Sequence, residues 1–144
     1  VSYLVDTSVW SLFLRRTFSQ LSLEERALVF ELRDVIVRGE ALLAADVIQE
    51  CLSGLKSEQI YESLRRQLRY QHVVPTLLED HEEAARLCNM LNGHGVASSH
   101  VDVLLCAIAL RRNATIFTTD PDFVRYAQHL PIKIHPAPNA SGAA

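Results

Sequence analysis

Apolar residues along this chain follow two rhythms. Short unbroken runs at Tyr3-Leu4-Val5, Ala41–Ala45, Val73-Val74, Thr115–Thr118 and Ile132–Ile134 read as buried strands. Between them apolar positions recur every three or four residues, the period of a helix packed on one face. Helices are predicted over Val9–Leu14, from Ser22 to Gly39 (Ala27, Leu28, Leu32, Val35 and Ile36 inward), and through Val47, Ile48, Cys51 and Leu52. Further helices cover Glu58–Tyr70, Leu78–Asn92, the stretch from Ser99 to Arg112, and Asp122–Gln128. The boundaries carry chemical signals: Ser22-Leu23-Glu24-Glu25 opens a helix, whereas Gly39 and Gly93-His94-Gly95 end them. Strands alternating with helices imply a central parallel sheet in a three-layer α/β/α sandwich. One domain is expected over residues 1–136, and the Pro-, Ala-, Ser- and Gly-rich tail 137–144 is expected to be disordered.

One stretch, Ser98–Phe123, brings two acids together. From Asp102 to Arg112 a helix runs roughly 15 Å at ~1.5 Å per residue. From Thr115 to Asp120 a strand climbs back roughly 16 Å at ~3.3 Å per residue. Asp102 and Asp120 should therefore meet at one edge of the fold. Ligands of such sheets bind beyond the carboxyl ends of the strands, and Asp6 and Asp46 also follow strands.

Each acid has a plain structural reading. Asp6 and Asp46 can cap the helices after them, Asp102 suits a capping box with Ser99, and Asp120-Pro121 suits a helix start. Asp122 complements the same helix's dipole. Glu50 is different, because it lies mid-helix in an apolar pattern, where capping is no explanation and an unpaired buried carboxylate is costly. Clustered carboxylates repel unless a cation joins them, and a hard divalent ion with oxygen ligands answers that need. Such ions act on phosphates. Thr7, Ser8, Thr118 and Thr119 crowd the same edge, either as turn residues or as groups that orient the acids.

Composition adds bounds. Net charge is −3, so any polyanion must be held by local arginines or through metal ions. Arg15, Arg16, Arg65, Arg66 and Arg69 are the candidates for a phosphate backbone, although a basic stripe on an amphipathic helix also serves as a solvated face. Arg111 and Arg112 at a helix end satisfy its dipole and need no other role. Trp10 and Phe13 are expected in the core or at a subunit contact. The three cysteines, without any CxxC pair, read as buried thiols of a cytoplasmic protein. No apolar run approaches the ~18 residues of a membrane span, and the histidines show no ligand spacing.

The motifs, taken in order, resemble those of the PIN-domain ribonucleases, and within them the VapC toxins of type II toxin–antitoxin pairs. Tyr3-Leu4-Val5-Asp6-Thr7-Ser8-Val9-Trp10 is similar to the family's first motif, and Val47–Gly54 carries its helical glutamate, Glu50. Ser99–Ala107 supplies a third acid, Asp102, and Thr118–Phe123 a fourth, Asp120, with Asp122 as an additional one. Leu105-Cys106-Ala107 departs from the more usual Ile-Ala-Ala, and Pro121 is unusual.

The resemblance implies that Asp6, Glu50, Asp102 and Asp120, with Asp122, hold Mg²⁺ or Mn²⁺. It also implies endonucleolytic RNA cleavage by metal-activated water, leaving a 5′-phosphate and a 3′-hydroxyl. Expected partners are an RNA substrate, a second copy of the chain and a small VapB-like antitoxin that covers the acidic groove. A silent PIN-like scaffold that only binds RNA or protein is the alternative. A phospho-receiver domain is disfavoured, since Thr7-Ser8 stands where a second acid is needed and no Asp follows Val73-Val74.

Overall fold

A computed structural model describes residues 1–14 and 17–138. Arg15, Arg16 and positions 139–144 lie outside the described residues, so the expectations for those two arginines and for most of the tail have no structural counterpart.

Five strands form one sheet: β1 (Tyr3–Val5), β2 (Ala41–Ala44), β3 (His72–Val74), β4 (Thr115–Phe117) and β5 (Ile134–His135). Their order is β3-β2-β1-β4-β5, and every pairing is parallel. β2 is buried at all four positions, which is why its sequence shows no alternation. The described helices are α1 (Thr7–Leu14), α2 (Leu23–Val37), α3 (Ala45–Leu52), α4 (Glu58–Arg69), α5 (Leu78–Gly93), α6 (His100–Arg112) and α7 (Asp122–Ala127).

The chain winds outward from β1 to β3 and then crosses back to β4. With right-handed connections, α1–α4 fall on one face of the sheet and α5–α7 on the other. The packing agrees, for α1 touches α2 and α3, α3 touches α4, and α5 pairs with α6. The order reverses between β1 and β4, so a crevice is expected beyond the carboxyl ends of these two strands. Trp10, Leu43, Phe117, Phe123 and Ile108 are fully buried in the core between the layers. Each such side chain contributes about 2–3 kcal/mol relative to exposure. Trp10 lies edge-on to Phe13 with ring centroids 6.3 Å apart, a core role as expected. None of the three cysteines is in a disulfide.

Several boundaries shift from the sequence reading by one or two residues, and three of the shifts bear on the site or the sheet. The last strand is Ile134–His135, where its hydrogen bonds to β4 fall, rather than Ile132–Ile134. The helix after β4 ends at Ala127 rather than Gln128, and its N-cap is Pro121, so Asp120 does not take the capping position. Ala45 belongs to α3 and not to β2, which moves Asp46 from a capping position into the first helical turn.

Arg111 also has a role beyond the helix dipole. Its Nε donates to Asp80 Oδ1 at 2.7 Å, and its Nη2 donates to Asp80 Oδ2 at 2.9 Å and to the Pro75 carbonyl at 3.2 Å. Asp80 is buried and also accepts the Leu77 N–H at 2.8 Å, so one carboxylate ties the start of α5 to the end of α6. Burial opposes its charge, but the bonds from Arg111 and Leu77 outweigh that and hold its carboxyl below the usual range.

Candidate functional site

Asp6 directly follows β1, and its N–H bonds to the Phe117 carbonyl of β4 at 2.8 Å. Its carboxylate Oδ2 accepts two hydroxyls, Ser8 Oγ at 2.8 Å and Thr118 Oγ1 at 2.9 Å. The same Thr118 oxygen accepts the Asp120 N–H at 3.0 Å, and Ser8 Oγ accepts the Thr119 N–H at 3.1 Å. Two hydroxyls therefore lock the turn after β4 onto the acid after β1. Ser8 and Thr118 orient acids here, as the sequence expects. Thr7 does less, since its buried hydroxyl has no partner of hydrogen-bond geometry, although it lies near enough to Glu50 to favour that carboxylate's charge.

Asp102, Asp120 and Asp122 converge. One carboxylate oxygen from each lies within 4.8 Å of the others. Ser99 caps α6 by accepting the Asp102 N–H at 3.1 Å, which is the capping half of the sequence expectation. The Asp102 carboxylate takes a hydroxyl from Tyr126 at 2.8 Å on Oδ2. Asp120 Oδ1 accepts the Asp122 N–H at 2.9 Å, and so helps to start α7 while facing its two neighbours. Asp122 pairs with Arg125 at 2.6 Å. Among the described residues, no lysine or arginine pairs with Asp6, Asp46, Glu50, Asp102 or Asp120.

The surroundings of Glu50 and Asp46 differ from what the sequence suggests. Glu50 keeps an exposed surface, so it is not the fully buried mid-helix carboxylate the pattern suggests, although its carboxyl is still partly desolvated beside the other acids. Asp46, read as a cap, does not cap, because α3 begins one residue earlier and its N-cap is Ala44. Both Asp46 carboxylate oxygens are buried without a hydrogen-bond partner. Its own N–H and that of Val47 lie close enough to help its charge, but neither reaches hydrogen-bond geometry.

Burial, and then the Asp6 charge, raise the Asp46 carboxyl above its ordinary value. Desolvation raises Glu50 as well, with the charges of Asp6, Asp46 and Asp102 adding to it. Asp102 is raised chiefly by burial, against the pull of the Tyr126 and Ser99 hydrogen bonds and with a push from Asp120 and Asp6. These acids feel one another, so they form one electrostatic unit. Beneath them, burial together with the charges of Asp102 and Asp6 pushes the Cys106 thiol up to about 12, so it stays protonated and unreactive.

The donor set fits a hard divalent cation. It is all oxygen, it contains three convergent carboxylates, and next to it sits a buried carboxylate with no partner from the chain.

The arginines of α4 separate. Arg65 bonds Glu62 at 2.8 Å, whereas Arg66 and Arg69 are exposed, with Arg66 also donating to the Glu62 carbonyl at 3.3 Å. α4 packs on α3, the helix of Glu50. Tyr126 and Arg111 are the residues that sequence reasoning missed. The available signals were a hydroxyl on the apolar face of α7 and a buried-face acid, Asp80, in need of a partner.

A parallel sheet whose strand order reverses beside a carboxylate cluster defines a class of α/β proteins with an acidic crevice. The sequence profile of the PIN domain matches residues 3–128. The chain belongs to the PIN domain family. No curated protein sequence matches it significantly.

Solved structures match it along nearly their whole length. FitAcB from Neisseria gonorrhoeae aligns with a TM-score of 0.71 at 20% identity, over 92% of this chain and 95% of that one. VapBC2 from Rickettsia felis, bound to a DNA fragment from its promoter, aligns at 0.74 and 14% identity, over 94% and 98%. VapC20 from Mycobacterium tuberculosis, a toxin that cleaves the sarcin–ricin loop, aligns at 0.64 and 15% identity, over 92% and 99%. At these identities the likeness establishes the fold.

Proposed function

We propose that this protein is a divalent-metal-dependent endoribonuclease and the toxin of a toxin–antitoxin pair. The observation that carries the reading is the convergence of Asp102, Asp120 and Asp122 within 4.8 Å, beside an Asp6 joined to the same turn through Thr118. Membership of the PIN family and the toxin–antitoxin complexes among its structural neighbours support it.

In this reading Asp6, Glu50, Asp102 and Asp120 hold Mg²⁺ or Mn²⁺. Asp122 stands as an additional acid, restrained by Arg125. When bound, the cation supplies positive charge to the phosphate oxygens and eases deprotonation of water. Ser8 and Thr118 fix the Asp6 carboxylate by donating to a single oxygen, which leaves the other free to serve as a ligand. Arg66 and Arg69 suit the RNA backbone, whereas Arg65 already serves Glu62. Arg15 and Arg16, just beyond α1, belong to the same proposal.

A small VapB-like antitoxin would block this edge, and an acidic crevice is a receptor for an arginine side chain. A homodimer working in the cytoplasm completes the proposal. Among the described residues no helix is long and apolar enough to cross a membrane.

The test pairs biochemistry with growth. Purified protein should cleave RNA with Mg²⁺ or Mn²⁺ and not in EDTA. Expression of the wild type should arrest growth, whereas Asp6→Asn should not. Equal cleavage in EDTA would overturn the metal mechanism, and folded protein that binds RNA without cleaving it would favour the silent scaffold.

A further inference from the structure

We infer that Tyr126 is a positioning residue for Asp102, holding that carboxylate in the orientation that brings it within reach of Asp120 and Asp122. The inference rests on the metal-dependent reading above. Its basis is geometric. The Tyr126 hydroxyl donates to Asp102 Oδ2 at 2.8 Å across 24 positions of sequence. The residue is 1% exposed, and its ring packs edge-on against Phe123 with centroids 5.5 Å apart. A ring so enclosed has no room to swing away, so the hydroxyl is a fixed point.

Packing alone does not call for tyrosine here. Phenylalanine would fill the same volume, and a buried hydroxyl is costly unless it finds a partner. In this chain the partner is a carboxylate of the candidate metal site rather than a main-chain carbonyl.

The helix carrying that hydroxyl is also the helix that Asp122 opens. Asp120 Oδ1 in turn bonds the Asp122 N–H. Asp120, Asp122 and Tyr126 therefore form one short rigid unit, and Asp102 comes to it from α6. The charges of Asp120 and Asp6 push on Asp102, and without the Tyr126 hydroxyl only Ser99 restrains its carboxylate from turning about its last torsion. The hydrogen bond keeps the three acids convergent before any cation arrives. Groups behind metal ligands that act in this way typically change metal affinity by about 10–100-fold.

The experiment is a Mn²⁺ titration of the full chain, followed by calorimetry or by the electron paramagnetic resonance of free Mn²⁺. Wild type, Tyr126→Phe and Phe123→Leu are compared. Tyr126→Phe should bind Mn²⁺ about 10-fold more weakly while keeping the wild-type circular dichroism. Its RNA cleavage should be poor at limiting Mn²⁺ and recover at saturating Mn²⁺, a rescue that a general packing defect would not give. Phe123→Leu, a packing change without a lost hydroxyl, should cost more stability yet leave Mn²⁺ affinity near wild type.

If wild type binds Mn²⁺ and Tyr126→Phe binds it equally well, the inference fails and the metal reading stands. It also fails if Phe123→Leu weakens binding as much as Tyr126→Phe. If wild type itself binds no Mn²⁺, the metal reading falls and this inference falls with it.

Discussion

Asp80 and Asp46 are both carboxylates taken out of water, and the chain treats them oppositely. Asp80 receives a two-pronged arginine and a backbone N–H, and its carboxyl is held below the ordinary range. Asp46 has two buried oxygens without a partner and a carboxyl raised above that range. The first acid serves the architecture, so the sequence supplies its cation. The second borders the crevice, where Asp6 adds negative charge, no lysine or arginine among the described residues pairs with it, and the favourable charge of His81 does not offset its burial. The difference separates acids that hold the fold together from acids left for an external positive charge.

The largest expected effect falls on the crevice side. Asp6→Asn should lower RNA cleavage by about 10³-fold, or about 4 kcal/mol in the transition state. Its melting temperature should stay close to wild type, because the amide still accepts the Ser8 and Thr118 hydroxyls. A variant that keeps full activity would remove Asp6 from the site.

Next comes the architectural side. Arg111→Met should destabilise the protein by about 3 kcal/mol, because it strands Asp80, and thermal unfolding should show roughly a 10 °C loss. Pairing Arg111→Met with Asp80→Leu should recover most of that loss, since a buried ion pair is often no better than a well-packed apolar pair. If the single variant is as stable as wild type, Asp80 is not held by Arg111 and the contrast collapses.

Mg²⁺ at about 100 times its dissociation constant should stabilise the folded protein by about 2.7 kcal/mol. Arg111→Met should show the same increment, because its ion pair lies outside the crevice.

The smallest effect is also the most pointed. Without metal, Asp46→Asn should raise stability by about 1 kcal/mol, or roughly 3 °C, by removing a buried charge that has no partner. Acidity gives the matching signature in EDTA. The raised carboxyls of Asp46, Glu50 and Asp102 cost stability as pH climbs from their ordinary values, 3.8 for aspartate and 4.5 for glutamate, through their raised ones. The lowered carboxyl of Asp80 adds stability that is present above 3.8 and is lost as pH falls through its folded value. Urea midpoints should therefore rise on mild acidification from neutrality and fall again below about 3.8. In Asp46→Asn the acid-side rise should shrink. A profile that falls steadily from neutrality downward would contradict the assignment of unbalanced charge to the crevice.

Much of this was legible from one sequence. Short apolar runs separated by helical periods located every strand to within two residues, because fully buried parallel strands leave a contiguous apolar trace. The meeting of Asp102 and Asp120 followed from rise per residue alone. The reading of Asp46 as a cap turned on a single residue, Ala45. Apolar Ala45 fits the end of a strand and the start of a helix equally well, and that one position decides whether Asp46 caps the helix or points from its first turn. Tyr126 and Arg111 were illegible for another reason. Their partners lie 24 and 31 positions away, and such pairings are set by how α5, α6 and α7 pack, which no local pattern encodes.

The hydrogen bond between Thr118 and Asp6 spans 112 positions. It forms only when the fourth strand has laid itself against the first, and the first strand is completed at residue 5. A growing polypeptide of a hundred residues already carries Asp6, Ser8 and Glu50, but it lacks both the Thr118 hydroxyl that joins Ser8 on the first acid and the three convergent acids Asp102, Asp120 and Asp122. The order of synthesis thus keeps the crevice unbuilt until Asp122 has been added and the fourth strand has docked on the first.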